Sequence, residues 1–177
     1  MDRFTSTVKI ISDRIGSATA SWSQAAMRDR RFVAQNRGGP LGHEQHYKLI
    51  KWACACSENV LYLFGRTIDI RLKNALYVAK QWQQGNVSVG DARKASLEAI
   101  RVANESTNAT AIAVARSIGH AVATAHMADH ALGAAYYALK GVQNAGGSIE
   151  EERKRQDKQL PSGIKALVQS ARKSRKI

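Results

Sequence analysis

Apolar residues recur along this chain at intervals of three and four, and alternation with period two is scarce, so the pattern predicts helices and no sheet. Val8, Ile10, Ile11 and Ile15 predict one helix over 1–36, ended by the breaker Arg37-Gly38-Gly39-Pro40, with 38–42 as the hinge into a main domain. Tyr47, Leu49, Ile50, Trp52, Ala53, Cys56, Val60, Leu61 and Phe64 give a broad apolar face over 43–64, closed by Gly65 as a C-cap. A helix over 69–84 follows, with Ile70, Leu76, Val78, Ala79 and Trp82, and stops at Gly85. Ser88 with Asp91 three residues on has the form of a capping box and starts a helix through Ala103.

The stretch SIGHAVATAHMADHALGAAYYALK, beginning at Ser117, holds three of the five histidines and a single carboxylate. Ile112, Ala115, Gly119, Val122, His126, His130, Gly133 and Tyr137 recur at steps of three or four, which places all eight on one face of a helical segment. An unbroken helix from Thr107 to Gly141 would be roughly 50 Å long. A domain of this size would hardly hold it, so a break is expected with Asp129 as N-cap, one helix ending near His126 and the next covering 130–140. After Gly146-Gly147 the pattern predicts a charged helix over 150–159, a stop at Leu160-Pro161 and a last helix over 162–171. The expected architecture is all-α, a compact bundle of about six helices. It divides into an N-terminal helical extension and linker (1–42), a helical domain (43–171) and a basic tail (172–177) that adds charge without adding to the core.

Composition refines this picture. A chain of 177 residues points to one domain. Cys54 and Cys56, two apart in a helical pattern, point to different sides and are poorly placed to bond each other, which fits a reduced, cytoplasmic protein. No apolar core of a secretory signal follows the N-terminus. The low-charge window over 117–139 is as long as a membrane span but is built of Ala, Gly and His, so an internal helix is expected and no membrane partner. The formal net charge is +13, spread as +4 over 1–42, +4 over 43–144 and +5 over 145–177. That even spread reads first as a solvated surface, with nucleic acid as a possible partner through the basic ends.

His126 and His130 are the first chemical candidates, because an imidazole on an apolar stripe needs a hydrogen-bond partner or a metal. Asp129 is near enough in sequence to both to be that partner. The i, i+4 spacing would also let the two imidazoles share a metal. Met127 stands where a zinc protease needs its general-base Glu, which removes that mechanism. His43 and His46 make a second helical pair, at what reads as an exposed helix end. No metal site and no cofactor are expected, and a metal, if any, would sit on His126 and His130. GGPLG lacks the Lys and the preceding strand of a phosphate loop. Glu150, Glu151 and Glu152 read as the first turn of a helix, favoured by its dipole. Trp22, Trp52 and Trp82 are too scattered for a base-stacking platform. Arg66, Arg71, Arg116, Tyr136 and Tyr137 are the candidate binding anchors, since Arg and Tyr tend to carry interface energy.

The segments HYKLIKWACACSENVLYLF, QGNVSVGDARKAS, ARSIGHAVATAHMADHALGAAYYALK and RKRQDKQLPSGIKALVQ resemble successive blocks of the Imm-five-like immunity-protein family, partners of bacterial polymorphic toxins. The resemblance covers about 43–171, and GHAVATAHMADHALGAAYYALK is its specific part. It implies an all-helical cytoplasmic protein that protects its producer by occluding a cognate toxin, and it brings no catalytic residues. The expected function is therefore non-enzymatic binding, with His126, Asp129 and His130 beside the Arg and Tyr anchors. The alternative is a basic nucleic-acid-binding or nuclease-accessory protein.

Overall fold

The computed structural model describes residues 29–177. Among them are seven α-helices and no strand: α1 His43–Asn59, α2 Ile70–Gln83, α3 Val89–Glu105, α4 Ala109–Ala123, α5 His130–Asn144, α6 Ile149–Lys158 and α7 Ser162–Arg175. The all-α reading holds, with one helix more than the six expected.

Helix α4 is the centre of the bundle, packed against α1, α2, α3 and α5. Its sequence explains the position. Ala111, Ala113, Val114, Ala115, Ser117, Ile118, Gly119, Ala121, Val122 and Ala123 are all buried, so small side chains face every neighbour. A helix that is apolar all round must be enclosed. Gly119 sets the closest approach, since a Cβ there would stand 2.7 Å from Ile100 Cδ1 of α3. Helix α5 runs back along α4: Ser117 Oγ donates to Ala134 O (2.8 Å) and shares a further bond with Ser57 Oγ of α1 (2.8 Å). A hydroxyl fully enclosed among apolar groups is thus supplied with partners from two other helices.

Local signals set most helix starts. Ser88 caps α3 in a two-way capping box with Asp91, as its spacing predicts. Asp69, Asn108 and Ser148 cap α2, α4 and α6 through their side chains, the last receiving the N–H of Glu151 in the acidic first turn.

Several expectations are corrected. The helix predicted over 1–36 falls mostly on residues outside those described. Its described end is not helical in the α sense: the chain makes two 3-10 turns, Arg30–Phe32 and Gln35–Arg37. Phe32 is wholly buried, Leu41 N donates to Val33 O (3.0 Å) and Gln35 N to Leu41 O (2.9 Å). Gly39 lies against that turn so closely that a Cβ would be 2.0 Å from Val33 O. The segment 38–42, read as a hinge, is bonded down. The helix predicted over 43–64 divides into α1 and a 3-10 turn Leu61–Phe64, so Gly65 closes the turn and not the helix. The helical run after Thr107 does break, but at 124–129, earlier than expected. That break separates Gly119 and Val122 on α4 from His130, Gly133 and Tyr137 on α5, so the eight-residue stripe is two faces that meet and not one.

The C-terminal end also differs. Helix α7 continues past Ala171, and Arg172 is 6% exposed. Its guanidinium lies 5.1 Å from the Trp52 ring centre, donates to Asp157 Oδ1 (2.7 Å) and bonds Gln156 Oε1. Gln156 donates to Ala135 O (3.2 Å) and accepts at its own carbonyl from Trp52 Nε1 (2.9 Å). Ile177 packs against the core and its carbonyl accepts from Arg153 (2.8 Å). Two of the residues read as a dispensable tail are therefore part of the fold, because an Arg stem buries as well as an apolar side chain when its head finds partners.

Candidate functional site

The α4–α5 hairpin turns through 124–129, and this turn gathers three histidines. His120 Nδ1 and His130 Nδ1 are 2.9 Å apart. The His126 and His130 ring centres are 5.2 Å apart, and the His120 ring stacks on Tyr137 at 5.2 Å with 19° between planes. Tyr136 meets Tyr137 edge-on at 5.3 Å, and Arg116 lies over the Tyr137 ring at 5.7 Å. His126, His130, His120, Tyr137 and Tyr136 thus form a row of five half-buried rings along one seam of the bundle. Gly133 makes the row possible: a Cβ there would come within 2.7 Å of His120 Nδ1.

Six of the eight residues singled out from sequence belong to this seam: His126, Asp129, His130, Arg116, Tyr136 and Tyr137. Arg66 and Arg71 do not. Arg66 is exposed in the turn before α2, and Arg71 bridges the α2 cap Asp69 (2.8 Å) and Glu105 at the end of α3 (2.6 Å). His120 was not among the candidates. It lies four residues before the turn and His130 one residue after it, so no symmetric spacing in the sequence announces the pair.

Asp129 does not act as expected. It occupies the N-cap position of α5 without a side-chain cap bond, and its Oδ1 is buried with no hydrogen-bond partner among the described residues. Its Oδ2 stands 3.8 Å from Arg175. Among the described residues His126 Nδ1 likewise has no partner, so the expected bond between these two groups is not made. The turn is instead held from α1. His46 Nε2 donates to Thr124 O at 2.6 Å, and its ring sits 5.1 Å from Trp82. His46 is 8% exposed, which corrects its reading as part of an exposed helix end; His43, one turn earlier, is exposed.

Burial governs the electrostatics. It pulls the His120 pKa down to about 4, helped by the neighbouring His130 and Arg116. It pulls His126 to about 4 as well, with His130, Arg93 and Arg37 adding to the effect. His46 is lowered by burial against the opposing pull of its bond to Thr124. At neutral pH these imidazoles are uncharged.

A cavity of about 240 Å³ opens beside the rings, lined by Arg93, Ser96, Leu97 and Ile100 of α3, Gly119, His120 and Ala123 of α4, and His126 and His130. A second, shallower cleft of about 570 Å³ lies on the other side of α3, lined by Ile70, Arg71, Lys73, Asn74, Tyr77 and Glu98. Ile70, Tyr77 and Leu97 are 73%, 60% and 57% exposed, so large apolar side chains stand at both openings.

Other chemistry fares less well. Cys54 and Cys56 are both buried, and burial pushes the Cys54 thiol up to about 12 and Cys56 higher still. Neither is a thiolate nucleophile at neutral pH. Among the described residues no three His, Cys, Asp or Glu side chains stand so as to hold a metal ion, and no helix is long and apolar enough to cross a membrane.

Compared with known proteins, residues 39–163 match the family described as "Imm-5 like putative immunity protein". The match begins four residues before the block read from sequence and ends in the first turn of α7. No curated protein and no solved structure matches the chain.

Proposed function

Because the chain belongs to the Imm-5-like immunity-protein family, we propose that it is a non-enzymatic, cytoplasmic protein that neutralises a cognate bacterial toxin of the polymorphic type by binding and occluding it. The family match over more than two-thirds of the chain is the observation that carries this reading. The surface supports it. Binding energy concentrates on Arg and aromatic anchors that are half-buried before the partner arrives, because little side-chain entropy is then lost. Arg116, Tyr136 and Tyr137, held by mutual ring contacts beside His126, Asp129 and His130, are of that kind. Arg71 lines the second cleft with the exposed Ile70 and Tyr77 and would extend the contact across α3, and Arg66 is exposed in the turn before α2.

The test is co-expression with candidate toxin domains drawn from the genes adjacent to this one. Growth should be rescued, and the purified pair should form a complex that survives moderate salt. Duplex DNA, titrated in parallel, should bind weakly and lose affinity steeply with salt, since each phosphate contact releases a counterion. No rescue and no complex, with salt-sensitive DNA binding retained, would favour the nucleic-acid role instead.

A further inference from the structure

We propose that the cavity between α3, α4 and α5 is a binding pocket for one small oxyanion, a carboxylate or phosphate group, held by Arg93 together with the imidazoles that line it.

Size comes first. Pockets for drug-sized ligands run about 300–1,000 Å³, and this one, at about 240 Å³, takes only a side-chain-sized head group. Its lining divides by chemistry. Leu97, Ile100, Gly119 and Ala123 make an apolar wall that lowers the local dielectric, and the hydroxyl of Ser96 is already spent on Gly119 O (2.9 Å). The other polar lining groups are Arg93, His126 and the pair His120 and His130, whose Nδ1 atoms already bond each other. A guanidinium presents a planar fork that matches the two oxygens of a carboxylate or phosphate. A neutral imidazole adds an N–H, and His126 keeps one buried ring nitrogen with no partner among the described residues. A buried polar atom left so calls for an explanation, and a bound acceptor that draws the ring over supplies one.

The surrounding charges have the same sign. Arg37, on the 3-10 turn, and Arg93 lie near enough to His126 to weigh on its protonation, and Arg116 does the same for His120. Asp129 is the opposing charge, and Arg175 at 3.8 Å offsets it. An anion among these groups would favour the protonated imidazoles, so affinity should rise as pH falls below neutrality. The pocket is a property of this chain alone and does not depend on the toxin reading.

The experiment titrates the full chain with inorganic phosphate and, separately, with acetate, at constant ionic strength in chloride, following heat and the histidine ring proton signals. Phosphate should bind saturably at one site, shift the His120, His126 and His130 signals, raise their apparent pKa values, and bind more tightly at pH 5.5 than at pH 7.5. Arg93 is exposed, so Arg93→Ala leaves the fold intact, and it should weaken binding by about tenfold to a hundredfold, the worth of a charge-assisted hydrogen bond. Arg101→Ala, further along α3 and outside the lining, should bind like the wild type. Acetate binding as well as phosphate supports a carboxylate source, such as an acidic side chain; phosphate alone supports a phosphoryl group. Absence of saturation with both anions overturns the proposal, as does equal binding by Arg93→Ala and wild type.

Discussion

The Nδ1 atoms of His120 and His130 lie 2.9 Å apart across the α4–α5 hairpin. One must donate and the other accept, so the bond needs at least one neutral ring, and protonation of both would set two N–H groups against each other.

The pH dependence of stability follows. His120 has a folded pKa of about 4, with burial as the main cause, below the ordinary value of 6.5. Between these values the unfolded chain binds a proton that the folded chain does not. Stability is therefore fully present above about pH 6.5 and falls as pH drops towards 4. His120 should contribute a loss of about 2–3 kcal/mol, and the more exposed His126 a smaller amount in the same direction because solvent screens it. Urea unfolding at pH 7.5 and pH 4.5 measures the difference. In His120→Asn the drop should shrink, and an equal drop in that variant would show that the titrating group is elsewhere.

Gly133 makes room for that pair. Replacing it with Ala puts a methyl group 2.7 Å from His120 Nδ1, inside the range where the ring must move. Gly133→Ala should cost about 1–3 kcal/mol, although Ala is favoured over Gly in a helix interior by about 1 kcal/mol. In a His120→Ala background the clash disappears and the helix preference remains. The same substitution should then be neutral or stabilising, a change of sign that a double-mutant cycle by thermal unfolding would display. A cost that is the same in both backgrounds would mean that the ring is not what Gly133 accommodates.

How far these relationships were legible in the sequence depends on their range. The capping box of Ser88 with Asp91 and the break in the helical run after Thr107 follow from neighbouring residues and chain length, and both are present. The partner of His130 was expected to be Asp129, its chain neighbour, yet the structure supplies His120 across the hairpin. Register across a six-residue turn decides that pairing, and no local pattern reports it. His46 and Arg172 misled for a related reason: polar residues near helix ends read as solvated until Thr124 O, Trp52, Gln156 and Asp157 are brought to them from elsewhere. The resemblance to one family was carried by the His-rich block itself, which is why family membership could be read before the site geometry.

Cys54 and Cys56 should resist alkylation. Both are buried, and their thiols are pushed up far enough that little thiolate forms at pH 8. Native protein treated with iodoacetamide should remain unlabelled over minutes, and the unfolded chain in guanidinium should take up two equivalents, matching the two cysteines of the sequence. Fast labelling without denaturant would require either an opening of α1 from the bundle or a different packing of its inner face.

The C-terminal end offers the sharpest contrast between charge and structure. Residues 173–177 include Lys173, Arg175 and Lys176 on the surface, whereas Arg172 is enclosed by Trp52, Gln156 and Asp157. Removing the side chain in Arg172→Ala strands the Gln156 carbonyl oxygen Oε1 in a buried position and takes the cover from the indole. Hydrogen bonds to charged groups are worth about 1.5–3 kcal/mol, so a destabilisation of about 2–4 kcal/mol is expected once lost packing is included. Lys173→Ala, next to it but exposed, should change stability by less than about 0.5 kcal/mol. Arg172→Met separates the two contributions, since it keeps much of the stem over Trp52 while discarding the charge, and it should recover part of the loss. Thermal unfolding of the three variants at pH 7.5 gives the comparison, and equal stability of Arg172→Ala and Lys173→Ala would place Arg172 back among the solvated charges of the tail.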